Sequence, residues 1–460
     1  MPMLQRSAMK ELDRWKSENA RSRKALLLAG ARQTGKTTLV REFARQNYEC
    51  FAELNFLEDV PARAIFDGPL DADTITEGLT AYLRQPLLPG KTLVLLDEIQ
   101  ECPKARTAIK FLVEDGRFDY IETGSLLGVR SRQVQSYPVG FEQHLRVFPL
   151  TLREFCLANG VQESTLDALC DRFDRREPVE DAVNQTMLRL VYLYLVIGGM
   201  PEVVDRYVNT HDIAQAMQLQ RDLLELYRLD IQKYTDGADN PKVRQVFDSI
   251  PSQLDEKNRR FVLADLDKNA RNSRYASSFM WLADAGVALP CFNVSAPVAP
   301  LEPNNKKSLF KLFMGDVGLL CAASMANIQF DLLQGNIDVN LGAVVENFVA
   351  QELRANGFDL HYFHANRVGE VDFVVQNGTS VMPIEVKSGN TWRAHRALDN
   401  VISVGEWGLD EAFVLCKGNV ERKGKVTYLP LYMTMFLQPN AIPQSLTYSV
   451  DLGPLGAFGA

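Results

Sequence analysis

Gly30-Ala31-Arg32-Gln33-Thr34-Gly35-Lys36-Thr37 reads G-x-x-x-x-G-K-[ST], the loop whose backbone N–H groups cradle nucleotide phosphates. Its flanks carry the fold. Ala25 to Ala29 is an unbroken apolar run of strand length, and Lys36 to Arg45 has helical spacing. The loop therefore lies between a strand and a helix, where the N–H groups of the helix N-terminus face an anion. Lys36 is expected to reach the outer phosphates of ATP and Thr37 to hold Mg²⁺. Gly30, Ala31, Arg32, Gln33, Thr34, Gly35 and Thr38 complete the expected cradle.

Beyond the loop, strands and helices alternate, which places the chain in the α/β class. Cys50 to Phe56 reads as a strand, Ile75 to Leu83 as a helix and Ala105 to Glu114 as another helix. Thr92 to Leu96 is an apolar strand that ends in Asp97-Glu98. A carboxylate at that strand end holds Mg²⁺ through water, and its neighbour polarises the water that attacks the γ-phosphate. Asp97 takes the first role and Glu98 the second. A further strand, Asp119 to Glu122, runs into Thr123-Gly124-Ser125. Ser125, with Thr123 in reserve, is the polar residue expected to contact the γ-phosphate or the attacking water.

This order resembles the AAA+ ATPases. The text Gly30 to Thr37 with Arg32-Gln33 inside it, then Gly124-Ser125-Leu126-Leu127-Gly128, then Phe148-Pro149-Leu150-Thr151-Leu152-Arg153-Glu154-Phe155, is similar to one prokaryotic AAA+ family over nearly the whole chain. Members of that family carry a C-terminal domain. The resemblance implies a Walker A motif at Gly30 to Thr37, a Walker B motif at Asp97 and Glu98, and a sensor near Ser125. It also implies a homo-oligomer in which a neighbouring subunit supplies an arginine, with Arg130, Arg132 and Arg146 as candidates.

Residues 1–160 are expected to form the ATPase core and 161–238 a helical lid packed on it. Met187 to Ile197 is dense in apolar residues and stops at Gly198-Gly199-Met200-Pro201. Arg221 and Arg228 either sense nucleotide or lie on solvated helix faces. Residues 239–330 have the layout of a winged helix. Three short helices (Val243 to Leu254, Val262 to Leu266, Ser273 to Ala285) precede two wing strands, Val287 to Val294 and Leu309 to Phe313. The third helix would offer Arg271, Asn272, Arg274 and Ser277 to DNA, and Lys306 and Lys307 would touch phosphate. A protein–protein spacer is the other reading.

Residues 335–438 form the expected C-terminal domain, followed by a tail, 439–460. In the helix Gly342 to Leu353, Glu346 projects among apolar residues, while Asn347, Gln351 and Arg354 share a polar stripe. A buried charge needs a partner. Asp372 lies on one strand, and Glu385 and Lys387 share a face of the next. Converging with Glu346, these carboxylates make a site for Mg²⁺ or Mn²⁺. The pattern resembles the PD-(D/E)XK nucleases, a restriction-endonuclease-like α/β fold. That likeness implies Glu346, Asp372 and Glu385 as metal ligands and Lys387 as the catalytic lysine. Such domains either cleave nucleic acid or only bind. Trp392, Arg393 and His395 follow the motif and serve either a phosphate backbone or packing.

With 460 residues, 46% hydrophobic and 23% charged, the composition is that of a soluble multidomain protein. A net charge of −8 excludes an overall basic coat, though not a local basic patch. Seven unpatterned cysteines and the absence of a signal pattern suggest a cytoplasmic protein. The longest apolar run, Leu190 to Ile197, is too short for a bilayer, and the histidines lack zinc spacing. The expected protein is an ATPase whose nucleotide state controls a metal-dependent, DNA-engaging nuclease-like domain. The rival is a nucleotide-dependent switch whose nuclease-like domain binds DNA or protein without cutting.

Overall fold

The computed structural model describes residues 4–125, 138–235, 240–256, 260–266, 272–325, 329–334, 341–440 and 447–450. Leu126 to Gly128, Arg130, Arg132 and Arg271 lie outside them, as do the side chains of Asn272 and Arg274.

The N-terminal part runs α1 (Ala8–Ser22), β1 (Ala25–Ala29), α2 (Lys36–Asn47), β2 (Cys50–Asn55), α3 (Ala72–Leu83), β3 (Thr92–Asp97), α4 (Pro103–Asp115), β4 (Asp119–Gly124) and β5 (Glu142–Arg146). Its five strands are parallel in the order β2-β3-β4-β1-β5. Both faces are covered, which is why the strands read as continuous apolar runs. Leu27, Leu54 and Leu96 pack towards α3 and α4, whereas Leu26, Leu28, Leu93 and Leu95 pack towards α1 and α2. β4 lies between β1 and β3. Its last residues therefore sit between the phosphate loop and the acidic end of β3.

Helices follow: α5 (Leu152–Ala158), α6 (Glu163–Arg175), α7 (Asp181–Ile197), α8 (Pro201–Thr210), α9 (Ile213–Tyr234), α10 (Asn240–Asp255) and α11 (Asn272–Asp284). Then come β6 (Ala288–Val294), β7 (Asn305–Met314), α12 (Val317–Met325), α13 (Gln329–Gln334) and α14 (Gly342–Ala355). The chain ends with β8 (His361–Ala365), β9 (Gly369–Asn377), β10 (Ser380–Val386), α15 (Arg396–Ser403), β11 (Ala412–Cys416), β12 (Glu421–Lys423) and β13 (Val426–Pro430).

Three expectations change here. β6 and β7 pair antiparallel, but β6 also pairs parallel with β8. The hairpin is thus one edge of an eight-stranded sheet, β12-β13-β11-β10-β9-β8-β6-β7, and does not stand free as a wing. The edge of β6 that faces away from β7 carries backbone N–H and C=O groups, and β8 pairs with them. The expected second helix at Val262 to Leu266 is only a 3₁₀ turn, Leu263–Asp265. Third, the helices after Leu150 touch the phosphate loop through α9 but bury their apolar faces elsewhere. Val191, Leu195, Val246, Phe313, Val345, Phe348 and Leu429 belong to one continuous apolar core, which joins α7, α10, β7, α14 and β13.

Candidate functional site

Two sites follow from this scaffold. In the first, Gly30 lies so close to its neighbour that a Cβ there would stand 2.1 Å from the carbonyl oxygen of Val147. Gly35 caps α2 with φ 83°, a left-handed turn that a side chain disfavours. Thr34 Oγ1 donates to the Ala31 carbonyl at 2.8 Å. The buried Lys36 ammonium donates to the carbonyls of Gly30 at 3.0 Å and Ala31 at 2.8 Å. Burial pushes its pKa down to about 8, opposed by the charges of Glu98 and Asp97. Beside α2, a cleft of about 530 Å³ is lined by Leu4, Arg6, Thr38, Leu39, Arg45 and Pro201.

Thr37 Oγ1 donates to Asp97 at 3.0 and 3.2 Å. Asn55 Nδ2 donates to the same carboxylate at 3.0 Å, as does Thr123 Oγ1. Burial raises the pKa of Asp97, and the hydroxyls of Thr123 and Thr37 oppose the rise. Glu98 adopts φ 53°, which turns it out of the strand. Its carboxylate accepts from Ser125 Oγ at 3.3 Å and from Gln100 Nε2. Lys36, Thr37, Asp97, Glu98, Thr123 and Ser125 are thus gathered at the C-terminal ends of β1, β3 and β4. The oxygens of Thr37 and Asp97 fit Mg²⁺, a hard cation.

Sequence reasoning missed Asn55 and Gln100. Asn55 was legible as a polar residue closing an apolar strand. It faces Asp97 in register. Three of the arginines that bear on nucleotide have described partners or charged neighbours. Arg228 pairs with Asp248 at 2.8 Å and with Glu225. Arg146 has Arg354, Asp284 and Asp359 of its own chain as charged neighbours. Arg32, within the loop, pairs with Asp230 of α9.

The second site lies where α14 crosses the C-terminal sheet. Glu346 is buried, as its helical position demands. Its partner is Lys311 of β7, which sequence reasoning did not single out. The Lys311 ammonium, fully buried, lies 2.9 Å from Glu370, 3.7 Å from Glu346 and 3.9 Å from Asp372. Arg260 and His364 each approach Glu370 at 3.5 Å. Asp372 also accepts the Val386 N–H at 2.8 Å. Lys387 donates to Glu385 at 2.7 Å. Burial and the charge of Asp372 push Glu385 up to about 7.

Where Glu346, Asp372 and Glu385 were expected to hold a metal ion, the Lys311 ammonium stands 3.7 Å from Glu346 and 3.9 Å from Asp372, and Glu385 takes the Lys387 ammonium. Among the described residues no group of three or more His, Cys, Asp or Glu side chains is arranged to hold a metal ion. A Mg²⁺ or Mn²⁺ ion would compete with the Lys311 ammonium for these oxygens. Two residues of the polar stripe of α14 are also not solvated. Asn347 and Gln351 are buried and bond to the backbones of Met314 and Val317. Nearby, His395 bonds Tyr428 at 2.7 Å and Arg393 pairs with Glu421 at 2.9 Å. The His395 contact is buried and serves packing, whereas the Arg393 pair lies at the surface. Lys306, Lys307 and Ser277 are exposed.

Residues 22–156 match the AAA domain family. Residues 188–329 and 341–433 match two domains of unknown function, DUF8612 and DUF4143. The chain carries an AAA-type P-loop ATPase domain. No curated protein matches the chain. Among solved structures, it is similar to a Walker-type ATPase of Pyrococcus abyssi, at 11% identity over 70% of this chain and 96% of that one, with a TM-score of 0.43. It is also similar to the Aeropyrum pernix Orc1 protein, solved in complex with DNA, at 15% identity over 72% and 95%, TM-score 0.30. Cdc6p of Pyrobaculum aerophilum is similar at 12% identity over 73% and 96%, TM-score 0.26. These distant likenesses add nothing to the reading of either site. No described helix is long and apolar enough to cross a membrane.

Proposed function

We propose that this chain is an ATP-driven switch whose C-terminal domain engages its target by binding, without metal-dependent cleavage. At the ATP site, Lys36 holds the β- and γ-phosphates, and Thr37 and Asp97 hold Mg²⁺, which neutralises phosphate charge when bound. Glu98, positioned by Ser125 and Gln100, orients water against the γ-phosphorus. The water oxygen bonds to that phosphorus and the bond to the β–γ bridging oxygen breaks. ADP leaves with the electron pair, and the water proton passes by way of Glu98 to the departing phosphate. Thr123 keeps Asp97 and Glu98 in register.

The observation that carries the binding reading is Lys311. Its ammonium lies within 4 Å of Glu346, Glu370 and Asp372, so a resident cation already offsets part of their charge. Removing it would take a buried cation from Glu346, at a cost of about 3–5 kcal/mol. The second reading is a nuclease in which Glu346, Asp372 and Glu385 hold the metal and Lys387 acts on the scissile phosphate. It requires that ammonium to leave. DNA is the first partner to test, because exposed Lys306 and Lys307 lie on the same sheet.

The test incubates plasmid, linear and single-stranded DNA with Mn²⁺, with and without ATP, for wild type, Lys36→Ala and Asp372→Ala. ATP hydrolysis is expected in the wild type, to be lost in Lys36→Ala, and DNA is expected to be retained uncut. Mn²⁺-dependent cutting that Asp372→Ala abolishes would establish the nuclease and overturn the binding reading.

A further inference from the structure

We propose that Arg32 supplies positive charge to the γ-phosphate from within its own chain, and that Asp230 of α9 holds its guanidinium until that phosphate competes for it. The inference rests on the phosphate-loop reading above. Arg32 occupies the third position of the loop, ahead of Lys36 by one helical turn of sequence. Its Nη1 lies 2.5 Å from Asp230 Oδ1, with the two side chains 29% and 11% exposed. The Arg32 carbonyl accepts from the Tyr227 hydroxyl at 3.1 Å. Tyr227 and Asp230 are three residues apart, so they share one face of α9. That face grips the loop by both backbone and side chain.

The pair borders the reaction space. The charge of Arg32 reaches Lys36 and opposes its protonation. The charge of Glu98 reaches Asp230. The geometry places the pair on the phosphate loop itself, where Arg32 is bonded through its side chain to Asp230 and through its carbonyl to Tyr227. A planar guanidinium binds carboxylate and phosphate oxygens with the same fork, so a γ-phosphate is a direct competitor of Asp230. ADP, which lacks that group, is not. Transfer of Arg32 from carboxylate to phosphate places charge where the transition state develops it, and an arginine in that role is worth about 10³–10⁵ in kcat. The same transfer frees Asp230 and loosens α9 from the loop. α9 lies in the segment after the ATPase sheet, so this exchange reports the γ-phosphate to the rest of the chain.

The experiment measures ATP turnover and the affinities for ADP and a non-hydrolysable ATP analogue in the full chain. The proteins are wild type, Arg32→Ala, Arg32→Lys, Asp230→Asn and Lys36→Ala. Arg32→Ala is expected to lower kcat at least about 100-fold while ADP affinity stays within about threefold. Arg32→Lys keeps the charge but not the fork, and is expected to recover only part of the loss. Asp230→Asn removes the competitor and is expected to raise the ratio of analogue to ADP affinity by about tenfold. Turnover of Arg32→Ala within threefold of wild type would overturn the proposal. So would Asp230→Asn weakening both nucleotides alike, since the pair would then be only a clamp. If Lys36→Ala binds ADP as the wild type does, the phosphate-loop reading itself fails. A Lys36→Ala loss beside an unaffected Arg32→Ala sinks only the role of Arg32.

Discussion

Glu352 shows how much one buried side chain can govern. Fully buried on α14, it accepts the Leu152 N–H at 2.9 Å. Glu154, the Tyr194 hydroxyl and Cys156 are its titratable neighbours. Burial pushes its pKa to about 8 from an ordinary 4.5, aided by the charge of Glu154. The folded state therefore keeps a proton that the unfolded chain releases above about 4.5. Stability is full below that value, falls as pH rises towards 8, and levels off beyond it. Glu352→Gln keeps the acceptor and removes the proton. Thermal unfolding should find the two proteins alike near pH 5 and the variant more stable at pH 8.5, by on the order of 2 kcal/mol. Parallel melting temperatures across that range would mean that Glu352 is ionised in the fold. At this scale, legibility depended on sequence distance. Lys36 and Thr37 share one short motif, and Asp97-Glu98 follows an apolar strand, so geometry was implied by order. Lys311 was not found, although it is a lone charge in the apolar run Leu309 to Phe313. The argument that singled out Glu346 applied equally to it.

α14 is the element on which the C-terminal half turns. Every residue from Gly342 to Leu353 is buried, so the helix has no outward face before its last two residues. Its polar residues are fasteners. The Asn347 amide accepts the Met314 N–H at 2.7 Å and donates to the Met314 carbonyl at 3.0 Å, a two-bond clasp on the end of β7. Asn347→Leu would strand both backbone groups in the core, which costs about 1–3 kcal/mol for each group left unsatisfied. Urea unfolding should show a loss of roughly 2–4 kcal/mol. A loss below about 0.5 kcal/mol would mean that the helix or β7 shifts to satisfy them otherwise. Arg354→Ala, whose pairs lie at the surface, should cost less than about 1 kcal/mol. The helix itself was readable from its periodicity. Its surroundings were not, because helical projection assumes one solvated face. The β6–β7 hairpin was misread for a related reason. Local pattern reveals a hairpin, but its third partner, β8, lies beyond α12, α13 and α14, and non-local pairing leaves no mark in a short window.

Across the whole molecule, the ATP site and the C-terminal cluster are joined by a continuous set of bonds. Arg6 donates to the phosphate-loop carbonyl of Thr34 at 2.9 Å and to the carbonyl of Phe148 at 2.6 Å. Its guanidinium also pairs with Glu154 at 3.4 Å. Glu154 closes a capping box with Thr151 at the start of α5. Two residues before Glu154, Leu152 donates to Glu352 of α14. Tyr194 of α7 donates to the Leu150 carbonyl and accepts from Gln351 of α14 at 2.8 Å. The helix so held carries Glu346, six residues upstream, into the Lys311 cluster. A movement of the phosphate loop that shifts residues 148–152 is therefore delivered to α14 as a rigid body, since a helix buried on every side cannot absorb it by bending. Coupling between sites is commonly about 1–3 kcal/mol, or roughly 5–150-fold in an equilibrium. Amide hydrogen exchange should then slow in residues 342–355 by about fivefold or more when a non-hydrolysable ATP analogue is added, and not in Lys36→Ala. Glu352→Leu should still protect the phosphate loop on binding while the response of α14 shrinks, because the Leu152 contact is gone. Protection confined to residues 30–38, with α14 unchanged in the wild type, would mean that the two sites share a chain without sharing a state, and the switch would have to run through α9 alone.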